Sequence, residues 1–204
     1  MKLQERLPKS VTVDGKTYAV DLDFRNVLAL METLARDDII EGAKAYRALK
    51  CVMKRPPKNA LAVLTELRKI LFPEQKKQAE HKKITDFEQD ADLIRAAFMQ
   101  AYGINLFRDR LHWLEFTCYL AGLPEGSRYC DILGIRARPM PNPTKYNAEE
   151  RQWLMRAKAE YALQMTDKEQ REQYARNVGN LASVLIAWAG MGGEGKDGGR
   201  TSCI

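Results

Sequence analysis

The sequence predicts a mainly α protein: a multi-helix bundle with a short N-terminal β-hairpin and a disordered, Gly-rich C-terminal tail. Three observations carry that expectation. Apolar residues recur at alternating steps of three and four through most of the chain, the spacing that paints one face of a helix. Start and stop signals bracket these runs, as where Thr85 and Glu88 stand at capping-box spacing and Gly103 and Ile104 supply a left-handed close. Only one segment reads as strand, VTVDGKTYAV at 11–20, where Asp14-Gly15 joins two short β-prone runs and suits a type I′ turn.

Behind that hairpin, Asp23 caps a helix with Phe24, Val27, Leu28, Met31 and Leu34 on its apolar face. Asp37 or Asp38 opens a second, carrying Ile39, Ala43, Tyr46, Leu49 and Met53. Pro56 and Pro57 end it and open a third through Ala60, Leu64, Leu67 and Leu71, which Pro73 stops. The polar, basic stretch 74–84 reads as a linker or exposed loop between an N-terminal region (1–73) and a helical region (85–189). From Thr85, four acids (Asp86, Glu88, Asp90, Asp92) crowd the expected start of a helix, where they favour the positive end of its dipole. Phe87, Ala91, Ile94, Phe98 and Ala101 form its stripe, which identifies Phe98 as core. The next helix runs through Leu111, Leu114, Cys118 and Ala121, widened by Trp113, Phe116 and Leu120.

Pro124 to Gly126 makes a turn, Tyr129 to Leu133 a short helical segment, and PMPNP at 139–143 an extended connection. Asn147 and Glu150 repeat capping-box spacing before Leu154, Ala157 and Tyr161. Thr166 and Glu169 do so before Tyr174, Val178, Leu181, Leu185 and Trp188, with Gly179 as a kink or close-packing point. The final stretch, 190–204, offers almost nothing to bury and reads as disordered.

With 204 residues, 45% of them hydrophobic and 29% charged, the chain can bury a real core as one ordinary domain or two small ones. No apolar run approaches the ~20 residues of a membrane span, and MKLQERLPKS lacks the apolar centre of a signal peptide. A cytoplasmic protein that meets no membrane is the expectation. The four cysteines show no C-x-x-C spacing, and Cys51 and Cys118 fall within expected helices as reduced core thiols. The net charge of +6 is mild, and the one dense cluster read from the sequence is Lys76, Lys77, His81, Lys82 and Lys83. That cluster has no interleaved aromatics of the kind that stack on single strands, so a solvated linker is favoured over a nucleic-acid site.

The chemistry of an enzyme is not legible. There are two histidines, His81 and His112, and neither stands at zinc-ligand spacing from the other or from a cysteine. His112 and Cys118 stand six apart on one helix, on different faces, and no Gly loop sits between a strand and a helix. Asp86, Asp90 and Asp92 offer oxygen to a cation, but acids at a helix start are ordinarily dipole and capping groups. His112 beside Trp113 reads as a packing pair. The expectation is therefore no catalytic residue, no metal and no cofactor.

One stretch points further. QDADLIRAAFMQAYGINL followed by LHWLEFTCYLAGL resembles a family of siphophage and prophage tail-assembly proteins. The resemblance rests on an acidic DAD before an apolar-aromatic helix, then YGI-(D/N)-L, then LHW with an aromatic three residues on. Here those elements include Asp90, Asp92, Phe98, Tyr102, Gly103, Leu106, His112, Trp113 and Phe116, with Asn105 where relatives commonly carry Asp. YCDILGIR at 129–136 is similar to the family's next segment. The resemblance implies a gene between those of the major tail protein and the tape-measure protein, and a tail assembly chaperone in the cytoplasm of the bacterial host. It implies the tape measure as partner, with the major tail protein and further copies of the chain itself as additional ones.

A tape measure is a long amphipathic helical chain with more apolar stripe than stays soluble alone, so a chaperone would take it helix-in-groove. Trp153, Met155, Tyr161, Met165 and Trp188 are the candidate contacts, and each would equally well complete the core. Two other readings stand beside this one: a permanent structural component of the virion tail, and a small basic nucleic-acid-binding module.

Overall fold

Asp14 and Gly15 both take positive φ, 50° and 72°, the pair of left-handed residues that a type I′ turn requires. They join β1 (Ser10–Val13) to β2 (Lys16–Ala19) in an antiparallel register that pairs Ser10 with Ala19 and Val13 with Lys16. Val11 and Val13 turn inward while Thr12 and Thr17 share a 3.0 Å hydroxyl contact on the outer face. The helices that follow are α1 (Phe24–Ala35), α2 (Glu41–Val52), α3 (Ala60–Leu71), α4 (Ala91–Tyr102), α5 (Trp113–Ala121), α6 (Arg128–Ala137) and α7 (Ala148–Glu160). This computed structural model describes residues 4–72 and 83–165. Met1–Ala162 form one compact unit and the chain from Leu163 a second, of which only Leu163–Met165 are described. The helix expected from Thr166 to Trp188, and the Gly-rich tail, lie outside the described residues.

The expected fold class holds: helices with one N-terminal hairpin. α1 packs against α2 and α5, α3 against α2 and β1, α4 against α5 and α6, and α6 against α7. One core draws on both sides of 74–84, from Val11 and Leu22 through Leu49, Val63 and Leu67 to Phe98, Trp113 and Phe116. Its centre is aromatic. Phe116 stacks on Phe24 at 4.7 Å and on Phe98 at 5.3 Å between ring centroids, and Phe87 and Trp113 close around it. The Trp113 indole N–H is buried yet satisfied, donating to the Leu71 carbonyl at 3.1 Å and so holding the end of α3.

Local signals succeed or fail according to what else each side chain touches. Asp23 caps α1 as expected, its carboxylate accepting the Arg25 N–H. Asp38 does not cap α2, because the Arg36 guanidinium grips both its oxygens at 2.9 and 2.6 Å and leaves the helix to begin at Glu41. Tyr46 is exposed, and the buried face of α2 is Ala48, Leu49 and Val52. Pro56 and Pro57 lie between helices without opening α3, which starts after Asn59 and buries Val63 in addition to the expected Ala60, Leu67 and Leu71.

The expected Thr85–Glu88 capping box does not form. Asp86 caps a separate turn by accepting the Glu88 and Gln89 N–H groups, and Thr85 turns its hydroxyl to Tyr129 at 2.8 Å. α4 therefore begins six residues later, at Ala91, and Phe87 reaches the core from the turn rather than from a helix. On α5 the sharply buried positions are Trp113 and Phe116, while Cys118 is exposed and not a core thiol. α6 starts at Arg128, where Ser127 caps it, and runs to Ala137, twice the length of the expected segment. Asn147 occupies the start of α7 but makes no cap; its side chain bonds Thr144 and Asn142, and Glu150 pairs with Arg138.

Gly103 closes α4 at φ 68°, as its sequence position indicates. A Cβ there would touch nothing within 4 Å, so only backbone strain opposes substitution. Gly103→Ala should cost about 1–2 kcal/mol, read as a lowered urea midpoint with an unchanged slope.

Candidate partner-binding surface

Most residues of the DAD/YGI/LHW pattern lie in or against the core rather than facing solvent. Asp90 is 1% exposed and meets Arg136, itself 11% exposed, in a two-pronged pair at 2.7 and 2.9 Å. Arg136 also donates to the Ile84 and Tyr161 carbonyls, so one guanidinium joins the 83–90 turn, α6 and the end of α7. Burial alone would raise the Asp90 carboxyl. The Arg136 hydrogen bond, the Asp86 N–H and the Arg136 charge together outweigh it and hold the group below the usual carboxylate range. Asp92, by contrast, lies in solvent with Arg95. Phe98 and Leu106 are buried, and the Tyr102 hydroxyl donates to the Tyr119 carbonyl at 2.9 Å. Asn105 accepts the Phe107 N–H through its side-chain oxygen, a task a carboxylate at that position would perform equally.

His112 does more than pack beside Trp113. It caps α5: its Nδ1 accepts the Leu114 N–H, Glu115 accepts the His112 N–H in return, and Nε2 donates to the Pro8 carbonyl at 3.0 Å. An N–H on one side and a carbonyl on the other give Nδ1 the acceptor role and Nε2 the donor role. Among the described residues no three His, Cys, Asp or Glu side chains group as they would around a metal ion.

Several surfaces among the described residues could take a partner, and three of them carry exposed apolar or basic side chains. The first is the side of α7. Trp153 is 52% exposed and Met155 57%, so neither is absorbed by the core. Two residues apart on a helix, they point about 200° apart and do not form one patch. Trp153 instead walls an apolar groove of about 560 Å³ against α6, with Cys130, Gly134 and Ile135 inside it and Glu125 and Asp131 on its rim. Tyr161 is half-buried at the end of α7, Met165 is exposed beyond it, and Trp188 lies outside the described residues.

The second surface is a groove of about 430 Å³ between α1 and α4, floored by Phe24, Leu28 and Ile94. Phe107 stands at its edge, 70% exposed with the Arg95 guanidinium 4.5 Å over its ring. Sequence reasoning passed over Phe107, although an aromatic directly after YGINL is a visible signal.

The third is a hollow of about 760 Å³ between β2 and the C-terminal end of α2, bordered by Lys50, Lys54 and Arg55. It too was missed: from Gly42 to Thr65 the chain carries six Lys and Arg and no carboxylate, a longer one-sign stretch than the cluster at 76–83.

Residues 3–163 match the family described as Bacteriophage Gp15 protein. The chain belongs to that family. The Gp15 match takes in the hairpin and the seven helices found among the described residues, and ends one residue beyond the compact unit that closes at Ala162. All of the pattern residues from Asp90 to Phe116 fall within the Gp15 region, as do Trp153, Met155 and Tyr161. No curated protein and no solved structure matches the chain. Among the described residues of this Gp15 protein, no helix is long and apolar enough to cross a membrane.

Proposed function

We propose that this Gp15-family protein is a tail-assembly chaperone, without enzymatic activity, that binds the tape-measure protein in the host cytoplasm while the tail is built. The observation that carries the reading is Trp153, a large aromatic left half in solvent on the wall of an apolar groove rather than packed in the core. Such a groove suits an apolar side chain from an amphipathic helix, the conformation expected of a tape measure. Met155 and Phe107 add separate adaptable contacts on other faces. A chaperone has to release its client, and several moderate contacts serve that better than one dominant anchor.

Co-expression tests the proposal. The tape measure should become soluble and co-purify with this chain, and Trp153→Ala should weaken the complex several-fold without abolishing it. An equally insoluble tape measure with and without this protein, and no complex on gel filtration, would sink the chaperone reading. Recovery of the protein from purified virions would establish it as a permanent tail component.

A further inference from the structure

We infer that the cationic hollow between β2 and the end of α2 binds an acidic segment of a protein partner, its carboxylates on the rim and its apolar side chains on the floor. The rim is Lys50, Lys54 and Arg55, all exposed, with exposed Arg47 and Lys58 beyond it on the same stretch. Among the described residues none of these five makes an ion pair. Several bases elsewhere do have a carboxylate partner: Arg36 with Asp38, Arg95 with Asp92, Arg110 with Asp21, Arg136 with Asp90 and Arg138 with Glu150. The one carboxylate on the hollow's lining is Asp21, and both its oxygens are already held by Arg110.

A need to balance the α2 dipole accounts for Lys50, which lies in the last turn. It does not account for Lys54, Arg55 and Lys58, which follow the helix end. Like charges brought this close repel, and a surface that keeps them together without counter-charges gains most when a polyanion arrives.

The floor selects the kind of polyanion. Tyr18, Ala19, Cys51 and Met53 give the hollow an apolar base beneath the charges. A peptide with acidic and apolar residues at helical spacing fills both, whereas a phosphodiester strand has charge but no aliphatic face. The exposed aromatic of α2, Tyr46, already carries Lys50 over its ring at 5.3 Å and is not a free stacking platform. This site shares no residue with the α6–α7 groove, so its failure would leave the tape-measure proposal standing.

The test uses the full chain and fluorescence anisotropy. The probes are a short labelled helical peptide with Leu along one face and Glu flanking it, the same peptide with Gln for Glu, and a short DNA duplex. The acidic peptide should bind, with an affinity that falls as salt is raised, and the Gln peptide should bind about tenfold more weakly. Lys54→Glu with Arg55→Glu should lower affinity for the acidic peptide by a similar factor. Reversing charge at Arg128 and Lys145, away from the hollow, should change it less than about twofold. Circular dichroism on each variant separates lost binding from lost fold. Three results would overturn the inference: a duplex held more tightly than the acidic peptide, peptide binding indifferent to the double substitution, or no binding of the acidic peptide.

Discussion

Asp90→Ala is expected to be among the most damaging single substitutions in the chain, costing about 3–5 kcal/mol. The loss comes from what stays behind: Arg136, 11% exposed, would keep its charge with no carboxylate to meet it, and the Asp86 N–H would lose its acceptor. Urea denaturation followed by tryptophan fluorescence at pH 7 measures it. The double replacement Asp90→Leu with Arg136→Met separates charge from packing and should recover much of the loss, because it removes both desolvated ions together. A double variant as unstable as Asp90→Ala would mean that the Arg136 bonds to the Ile84 and Tyr161 carbonyls are the larger part. The same pair sets a pH dependence. The Asp90 carboxyl titrates lower in the folded protein than its ordinary 3.8, so its contribution is fully present above that value. It is lost as pH falls through the lowered folded value, and stability should therefore decline in acid. In Asp90→Ala that part of the acid sensitivity should disappear.

Phe116→Ala should cost a comparable ~3–5 kcal/mol through the cavity it opens. Its ring lies between Phe24 and Phe98 and touches Phe87 and Trp113, so its loss loosens α1, α4, α5 and the 83–90 turn together. Phe98→Ala, at a position with no exposure, belongs in the same range. Phe116→Leu should recover roughly half of the loss, since volume returns but the stacking does not. Melting temperature and near-ultraviolet circular dichroism report both. A Phe116→Ala protein as stable as the parent would show that the four neighbouring rings close the gap unaided.

What the sequence made legible was periodic and local. The hairpin turn, the Asp23 cap, the Gly103 close and the Phe98 core position each depend on residues within a few places of one another, and each is found. Several failures share one cause, a polar side chain claimed by something distant. Thr85 and Asp90 look like parts of a helix start until Tyr129 and Arg136, 44 and 46 residues away, take them. His112 looks like a packing residue until the Pro8 carbonyl, 104 residues back, is seen to receive its proton. Cys118 and Tyr46 were assigned to cores because a stripe of three-and-four spacing is broader than the face a neighbouring helix covers. Of the candidate contact residues, Trp153, Met155 and Met165 lie exposed and Tyr161 is half-buried. The basic hollow escapes for a different reason: its charges are divided between the last turn of α2 and the connection after it, and form no dense run.

The pairing of residues 22–24 with 111–113 has a consequence for how the chain is made. The Phe24 N–H donates to the Leu111 carbonyl and the Trp113 N–H to the Leu22 carbonyl, so the hairpin and α1 are finished by α5. On a ribosome adding ~5–20 residues per second, about ninety residues of synthesis, roughly 5–20 s, separate Phe24 from Phe116. Throughout that interval the nascent N-terminal half carries an aromatic face whose stacking partner has yet to be translated. Its vulnerability to misassociation is thus a matter of translation speed, and slow codons between α3 and α5 would lengthen the exposure.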